Sequence, residues 1–270
     1  MSDHLTTDSR ESLAALFSEG RQLIAYLTLG YPHPSAMPSI VRALEKARVG
    51  AIEFGMPTEN PKYDGPTIRQ THKVTTKLGL RSEEALRLLG AVDCRHKVLM
   101  AYYEDALKIG LEGLFRRAAE NGADALLFPD LLIDYPDQFK TYTQLSEKYG
   151  LEKAFFITTT FPHKLVTELV DHEPAFIYLG LMACTGVLLP ITIARNIYIM
   201  KRLVGPTPLV VGFGISRPEQ VMECVKAGAD GVVVGSALAK LITTPDTATQ
   251  QLDSITHFMT VLRCSLDAKP

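Results

Sequence analysis

The sequence predicts an α/β protein folded as a (β/α)8 TIM barrel, a single domain over residues 1–270 with an extra helix at its N-terminus. Short apolar runs alternate with amphipathic helical stretches along the whole chain. Continuously apolar strands indicate a parallel sheet that is buried on both faces. Eight strand–helix repeats in about 250 residues fit a closed barrel better than an open, doubly wound sheet.

The predicted strands are short runs rich in β-branched or large apolar residues, and most of them end at Gly, Pro or Asp. In chain order they are Leu23–Thr28, Ala51–Phe54, Val98–Tyr102, Ala125–Phe128, Ala154–Thr158, Phe176–Leu179, Leu209–Gly212 and Gly231–Val234.

Helical patterns separate these runs, and Gly122 and Gly228 are typical helix stops. The predicted helices are Met37–Ala47, Ser82–Leu89, Leu111–Asn121, Pro136–Tyr149, Lys164–Val170, Ile191–Leu203, Pro218–Ala227 and Ser236–Leu241. Apolar positions at helical spacing in Ser12–Phe17 also predict a leading helix over residues 1 to about 20, placed to cap the lower end of the barrel.

Composition favours a small-molecule enzyme in the cytoplasm. The formal net charge is −2 and no basic run is present, so we expect neither a nucleic-acid nor a membrane partner. Four cysteines lie far apart, which argues against a zinc site and fits a reducing compartment. The polar, acid-containing first residues are unlike a targeting peptide, and no apolar run reaches the length of roughly 20 residues that spans a bilayer.

Two carboxylates are the first candidates for chemistry. Glu53 lies inside the apolar second strand, and Asp64 lies in the Pro/Gly-rich loop that follows it. A buried carboxylate is costly unless it is paired, hydrogen-bonded or shifted in pKa. Both residues would face the carboxyl ends of the strands, where the active sites of TIM barrels lie. Taken singly, each could be structural, Glu53 as a buried hydrogen-bonded acid and Asp64 as a turn residue; together they indicate an acid–base pair.

Glycines after strands seven and eight are the second candidate. Gly212, Phe213 and Gly214 follow the seventh strand, and Gly235 and Ser236 follow the eighth where a helix begins. Glycines let backbone N–H groups approach an anion, and these two loops form the usual phosphate site of this fold. They could also serve only to make tight turns. Two consecutive loops of this kind predict a phosphorylated substrate.

A resemblance to a known family emerges from motifs in seven of the eight repeats. The chain carries, in order, AIEFGMP with DGP shortly after it, VLMAYY, GADALLFPDL, FIYLG followed by Thr185-Gly186, VGFGIS and ADGVVVGSA. This order resembles that of tryptophan synthase alpha subunits, and it extends from about Arg21 to Ile242. The resemblance implies cleavage of indole-3-glycerol phosphate to indole and glyceraldehyde 3-phosphate, with no cofactor or metal in this chain and pyridoxal phosphate only in a beta-subunit partner.

The resemblance also implies roles for individual residues. Glu53 would be the acid that protonates indole C3 and then the base on the glycerol hydroxyl, Asp64 would bind the indole N–H, and Tyr178 matches the active-site tyrosine of the family. The implied phosphate ligands are Thr185, Gly186, Gly212, Phe213, Gly214, Gly235 and Ser236. Tyr26, Tyr102, Phe213 and Ile157 are candidate indole contacts, although each of these side chains fits the core better than the pocket.

Two loops depart from the family pattern. Pro57-Thr58-Glu59-Asn60-Pro61 stands where the family has Pro-Phe-Ser-Asp-Pro, which puts the beta-subunit contact in doubt. The loop after strand six, including Val187 to Ile191, is unusually apolar. Two alternatives therefore stay open: a divergent paralogue that acts without a beta subunit or on another aryl or phosphorylated substrate, and a noncatalytic regulatory barrel.

Overall fold

The computed structural model describes residues 11–181, 190–212, 214–243 and 247–268, and no side chain of residues 190–192. Eight parallel strands in sequence order form a closed barrel, as predicted. The barrel closes through β1, which pairs with β2 at Ile24–Ala51 and with β8 at Ile24–Val233. The strands are β1 Gln22–Thr28, β2 Ala51–Gly55, β3 Lys97–Met100, β4 Ala125–Leu127, β5 Glu152–Thr158, β6 Phe176–Gly180, β7 Leu209–Gly212 and β8 Gly231–Val234.

Helices surround the barrel in the described part of the chain. They are α1 Met37–Lys46, α2 Pro66–Lys77, α3 Ser82–Ala91, α4 Tyr103–Ile109, α5 Leu111–Glu120, α6 Leu131–Asp134, α7 Phe139–Tyr149, α8 His163–Val170, α9 Pro190–Val204, α10 Pro218–Lys226, α11 Ser236–Leu241 and α12 Ala248–Asp267. Short 3-10 helices span Ala15–Glu19, Pro34–Ala36 and Pro136–Gln138. Helix α12 packs against α1 and α10.

The sequence pattern located every strand but missed four helices: α2, α4, α6 and α12. Helix α2 shows why a pattern based on apolar spacing fails. Its buried positions are Ile68, Thr71, His72 and Thr75, which have helical spacing but are mostly polar. Polar side chains on the inner face of a helix next to a barrel mouth are compatible with a role in the site.

The N-terminal segment closes the lower end of the barrel, and the first ten residues of the predicted leading helix lie outside the described residues. Within its described part, from residue 11 onward, only a 3-10 turn is present, at Ala15–Glu19. Glu152, the first residue of β5, accepts hydrogen bonds from Ser12 Oγ and from the backbone N–H of Leu13. The Phe17 ring lies 6.1 Å from the ring of Phe176, the first residue of β6. In residues 11–20, contacts with the first residues of β5 and β6 therefore anchor the segment at the lower end of the barrel.

The predictions about cysteines, membrane-spanning segments and metal sites can be compared with the described residues. Cys94 and Cys224 are buried, Cys264 is exposed, and all three are free thiols. No helix in residues 11–181, 190–212, 214–243 or 247–268 combines the length and the apolar character needed to cross a membrane. Within the same ranges, no cluster of three or more His, Cys, Asp or Glu side chains is suited to hold a metal ion.

Candidate active site

A pocket opens at the carboxyl ends of the strands, and it brings together most of the described candidates. Glu53, Asp64, Tyr26, Tyr178, Gly214, Gly235 and Ser236 all line it. The other lining residues are not among those predicted from the sequence; they are Tyr63, Gly65, Pro66, Thr67, Ile68, Met100, Pro129, Phe156 and Val233. The pocket therefore joins the two carboxylates to the glycine loops after β7 and β8.

Glu53 is a buried acid without a hydrogen bond at one of its oxygens. It lies in the middle of β2, beside Tyr26 of β1 and Val98 of β3, and it is 4% exposed. No described group hydrogen-bonds to its Oε1. Burial, and after it the charge of Asp64, raises the pKa of Glu53 to about 8. The carboxyl group is therefore protonated at neutral pH and can act as an acid inside the pocket.

Asp64 is held in a fixed place by the loop between β2 and α2. Its Oδ2 accepts a 2.8 Å hydrogen bond from the Tyr102 hydroxyl. Burial and the neighbouring Asp64 charge raise the pKa of Tyr102 well above its usual value, so this hydroxyl stays protonated as a donor. The Tyr102 ring also stacks on Tyr63, with centroids 6.5 Å apart. Tyr102 thus fixes Asp64 without itself lining the pocket. Tyr63, which stacks on Tyr102, is one of the residues that line it.

The same loop is tied to the neighbouring strand–helix units by ion pairs. Lys62 Nζ lies 2.5 Å from Asp134 Oδ2 on α6 and 3.7 Å from Asp130 Oδ2. The Tyr63 hydroxyl donates to Asp134 Oδ1 at 2.9 Å. These contacts tie the loop that carries Asp64 to α6 and to Asp130, which precedes this helix.

Two tyrosine side chains pack closely against a glycine of the adjacent strand. A Cβ at Gly55 on β2 would lie 2.1 Å from the Tyr26 hydroxyl of β1, and a Cβ at Gly212 on β7 would lie 2.1 Å from the Tyr178 hydroxyl of β6. Both glycines are therefore needed where an aromatic side chain passes close to the backbone. Gly212, which we predicted to bind phosphate, is packed against Tyr178 and is not among the residues that line the pocket.

Three of the other predicted phosphate ligands, Gly214, Gly235 and Ser236, line the pocket. Gly214 has a φ of +82°, a backbone conformation that favours glycine. Gly235 lies so close to Tyr26 that a Cβ would be 3.2 Å from the Tyr26 Cβ, and Ser236 begins α11. Thr185, Gly186 and Phe213 lie outside the described residues, as do residues 182–189 of the apolar loop.

Strand alternation explains why Phe156, and not the predicted indole contact Ile157, lines the pocket. Phe156 of β5 lines the pocket and lies 5.3 Å from Tyr178, ring centroid to ring centroid. Ile157, the neighbouring residue that we had selected, is fully buried and is not a lining residue. Successive side chains of a strand point to opposite faces, so a choice that is wrong by one residue selects the other face.

The changed loop after β2 turns one of its new residues inward. Thr58 is 5% exposed, and its Oγ1 donates to Asp105 Oδ2 on α4. Glu59 and Asn60 are exposed beside it. They line a groove between the loop, α3 and α4 that also includes Leu80 and Ile109. Glu59 and Asn60 are therefore the exposed side chains that this loop presents at the groove.

Comparison with known proteins gives consistent matches along the barrel. A family model described as the tryptophan synthase alpha chain matches residues 13–265. The tryptophan synthase alpha chain of Thermococcus kodakarensis is 34% identical over 244 residues, which cover 88% of this chain and 94% of the relative. That of Sulfurisphaera tokodaii is 30% identical over 252 residues, covering 92% and 98%.

Solved structures agree with the sequence matches. A chain from a study of mutual activation in the tryptophan synthase α2β2 complex of Pyrococcus furiosus superimposes with a TM-score of 0.79 at 28% identity, covering 91% of this chain and 99% of that chain. A chain of aminoacrylate-bound tryptophan synthase from Mycobacterium tuberculosis gives 0.81 at 25% identity, covering 95% and 100%. The similarity therefore extends over the barrel as a whole.

Proposed function

The chain belongs to the tryptophan synthase alpha chain family, and from this premise we propose that its single barrel domain, residues 1–270, cleaves indole-3-glycerol phosphate into indole and glyceraldehyde 3-phosphate. Enzymes of this family are carbon–carbon lyases of tryptophan biosynthesis, and the alpha chain requires no cofactor of its own. The observation that carries the proposal is Glu53, a buried and protonated carboxyl group that lines the same pocket as Asp64.

The first step is proton transfer to the substrate. Cleavage of the bond at indole C3 requires that C3 first accept a proton, because the ring can then receive the electron pair of the breaking bond. Glu53 has a pKa of about 8 in its buried position and can donate this proton at neutral pH. The resulting Glu53 carboxylate is buried, and its raised pKa makes it a stronger base than an exposed carboxylate.

The second step breaks the carbon–carbon bond. The Glu53 carboxylate removes the proton of the glycerol hydroxyl on the carbon attached to C3. A carbonyl forms on that carbon, the bond to C3 breaks, and its electron pair returns to the ring. Indole and an aldehyde result, and Glu53 regains its proton, so that no external acid, base or oxidant is consumed.

Asp64 stabilises the charge that develops between these steps. Protonation at C3 places positive charge on the indole nitrogen, and a carboxylate that accepts the N–H hydrogen bond favours this state. The Tyr102 hydroxyl fixes Asp64 Oδ2 from one side and leaves the carboxylate directed at the pocket. Tyr178 and Phe156, with rings 5.3 Å apart, offer aromatic surface for the indole ring.

The substrate phosphate would bind at the loops after β7 and β8. Gly214, Gly235 and Ser236 line the pocket on the side formed by these loops. Backbone N–H groups of Gly235 and Ser236 at the start of α11, together with the Ser236 hydroxyl, supply donors of the kind that bind phosphate in TIM barrels. Thr185, Gly186 and Phe213 are proposed to complete the site.

We propose that a pyridoxal-phosphate-dependent beta subunit receives the indole, in an α2β2 complex like that named for the related Pyrococcus furiosus protein. The groove lined by Glu59 and Asn60 supports this assignment. Leu78 at the end of α2 and Leu107 on α4 are about half exposed near it. Exposed apolar side chains next to polar ones are typical of protein–protein interfaces.

The test is an assay of both products. Purified chain is incubated with indole-3-glycerol phosphate, alone and with a tryptophan synthase beta subunit, and indole and glyceraldehyde 3-phosphate are measured. We expect the two products in equal amounts and faster cleavage with the beta subunit. Equal rates with and without it would favour a lyase that acts alone. No indole under either condition would contradict the proposed reaction.

A further inference from the structure

His72, a buried polar side chain next to the pocket, takes no part in the proton transfers of the proposed reaction. His72 lies on the inner face of α2 and is 1% exposed. Both of its ring nitrogens have polar neighbours: the backbone N–H of Thr58 and the Asp64 carboxylate, both in the loop after β2, and the Tyr26 hydroxyl of β1.

The first contact defines where the ring carries its hydrogen. The backbone N–H of Thr58 donates to His72 Nδ1 at 3.3 Å. A nitrogen that accepts a hydrogen bond holds no hydrogen itself, so the ring hydrogen is on Nε2. The backbone of Thr58 thus selects the tautomer of a side chain 14 residues further along the chain.

The second nitrogen faces the site. His72 Nε2 lies 3.1 Å from the Tyr26 hydroxyl and 3.6 Å from Asp64 Oδ2. The hydrogen on Nε2 is therefore donated to the Tyr26 hydroxyl, and its positive edge also faces the carboxylate. The same Oδ2 atom accepts the hydrogen bond of Tyr102, so Asp64 lies between the Tyr102 hydroxyl, which donates to it, and the Nε2 edge of His72, which faces it.

We propose that His72 is a positioning residue of the lyase site, which links the backbone of Thr58 to the Tyr26 hydroxyl and holds the Asp64 carboxylate in its working position. This role rests on the proposed function, because it acts through Asp64. His72 couples the changed Thr58–Asn60 loop to the residue that balances charge during the reaction. If His72 were only structural, its buried ring would hold α2 in place, and its replacement would change stability but not turnover.

Two amide variants separate the two ring nitrogens. In His72→Gln, the longer side chain places an amide N–H near the position of Nε2, whereas in His72→Asn the amide reaches only the position of Nδ1. We expect His72→Asn to lower kcat about tenfold with KM nearly unchanged, because the Tyr26 hydroxyl loses its donor and Asp64 loses the polar N–H edge that faces it when charge develops. His72→Gln should recover most of this loss. Equal kcat values for the two variants, at equal melting temperatures, would overturn the proposal.

A second measurement does not depend on activity. In protein labelled with ¹⁵N-histidine, NMR should show the hydrogen of His72 on Nε2, and Asp64→Asn should shift this nitrogen signal because the facing charge is lost. A hydrogen on Nδ1, or an Nε2 signal unaffected by Asp64→Asn, would contradict the proposed geometry. If the unmodified chain released no indole, the reaction assignment would fail, and the NMR result would still decide whether His72 faces Asp64 as proposed.

Discussion

The Tyr102 hydroxyl donates a 2.8 Å hydrogen bond to Asp64 Oδ2 and accepts one at 3.0 Å from the backbone N–H of Tyr63. One side chain after β3 therefore fixes both the functional carboxylate and the backbone next to it. In a site where a carboxylate must meet an N–H group of the substrate, such fixed placement lowers the reorganisation needed in the transition state.

Removal of this hydroxyl should slow the reaction without unfolding the protein. Tyr102→Phe is expected to lower kcat by about ten- to a hundredfold, the range for a hydrogen bond to a charged group. Tyr103→Phe is the matched control, because the neighbouring Tyr103 hydroxyl bonds to Gln138, away from the pocket. Steady-state kinetics of indole release compare the two variants. Similar rates for both would show that Tyr102 does not support Asp64.

The rate should decrease at alkaline pH. Glu53 must be protonated to donate to C3, and its pKa is about 8, so kcat/KM should fall as the pH rises through this value. The profile of kcat/KM between about pH 6 and 10 reports this ionisation of the free enzyme. A rate that stays constant up to about pH 9 would be inconsistent with Glu53 as the acid.

The same pKa predicts a pH-dependent cost in stability. The pKa of Glu53 rises from 4.5 to about 8 on folding, so between these values the folded state binds more protons than the unfolded state. Stability attributable to this group therefore falls as the pH rises through this window, by at most about 5 kcal/mol. Glu53→Gln should become increasingly more stable than the unmodified chain from pH 5 to pH 9 in urea unfolding. A constant difference between the two proteins would argue against a raised pKa.

The close approach of Tyr178 to Gly212 predicts a steric effect. Gly212→Ala would place a Cβ 2.1 Å from the Tyr178 hydroxyl and should destabilise the barrel by about 1–3 kcal/mol. Combining it with Tyr178→Phe should restore part of this loss. Gly113→Ala on α5 is the control, because its nearest neighbour is Arg117 Nη2 at 3.6 Å. Urea unfolding measures all three, and an unchanged Gly212→Ala protein would refute the packing relationship.

The strands were predictable because their signal is local. All eight observed strands lie within two residues of the predicted bounds at either end, since fully buried parallel strands form continuous apolar runs. Glu53 could be selected from the sequence because it is a charged residue within one of these apolar runs. Asp64 followed from its loop, because the fold directs that loop to the pocket.

The supporting residues could not be predicted in this way. The placement of Tyr102 behind Asp64 depends on how two loops meet in space. His72 lies in a helix whose inner face is polar, so the apolar spacing that identifies helices is absent there. Phe156 was missed by one residue because a run that is apolar on both faces does not show which face points inward.

The most direct test of the whole account is indole release by Glu53→Gln. The variant keeps the shape of the side chain but has no transferable carboxyl proton, so we predict a loss of about 10³-fold or more in kcat, with a melting temperature no lower than that of the unmodified chain. Glu45→Gln, on α1 at the opposite end of the barrel, should retain full activity. A Glu53→Gln protein that releases indole at a rate near that of the Glu45→Gln control would contradict the assignment of Glu53 as the catalytic acid.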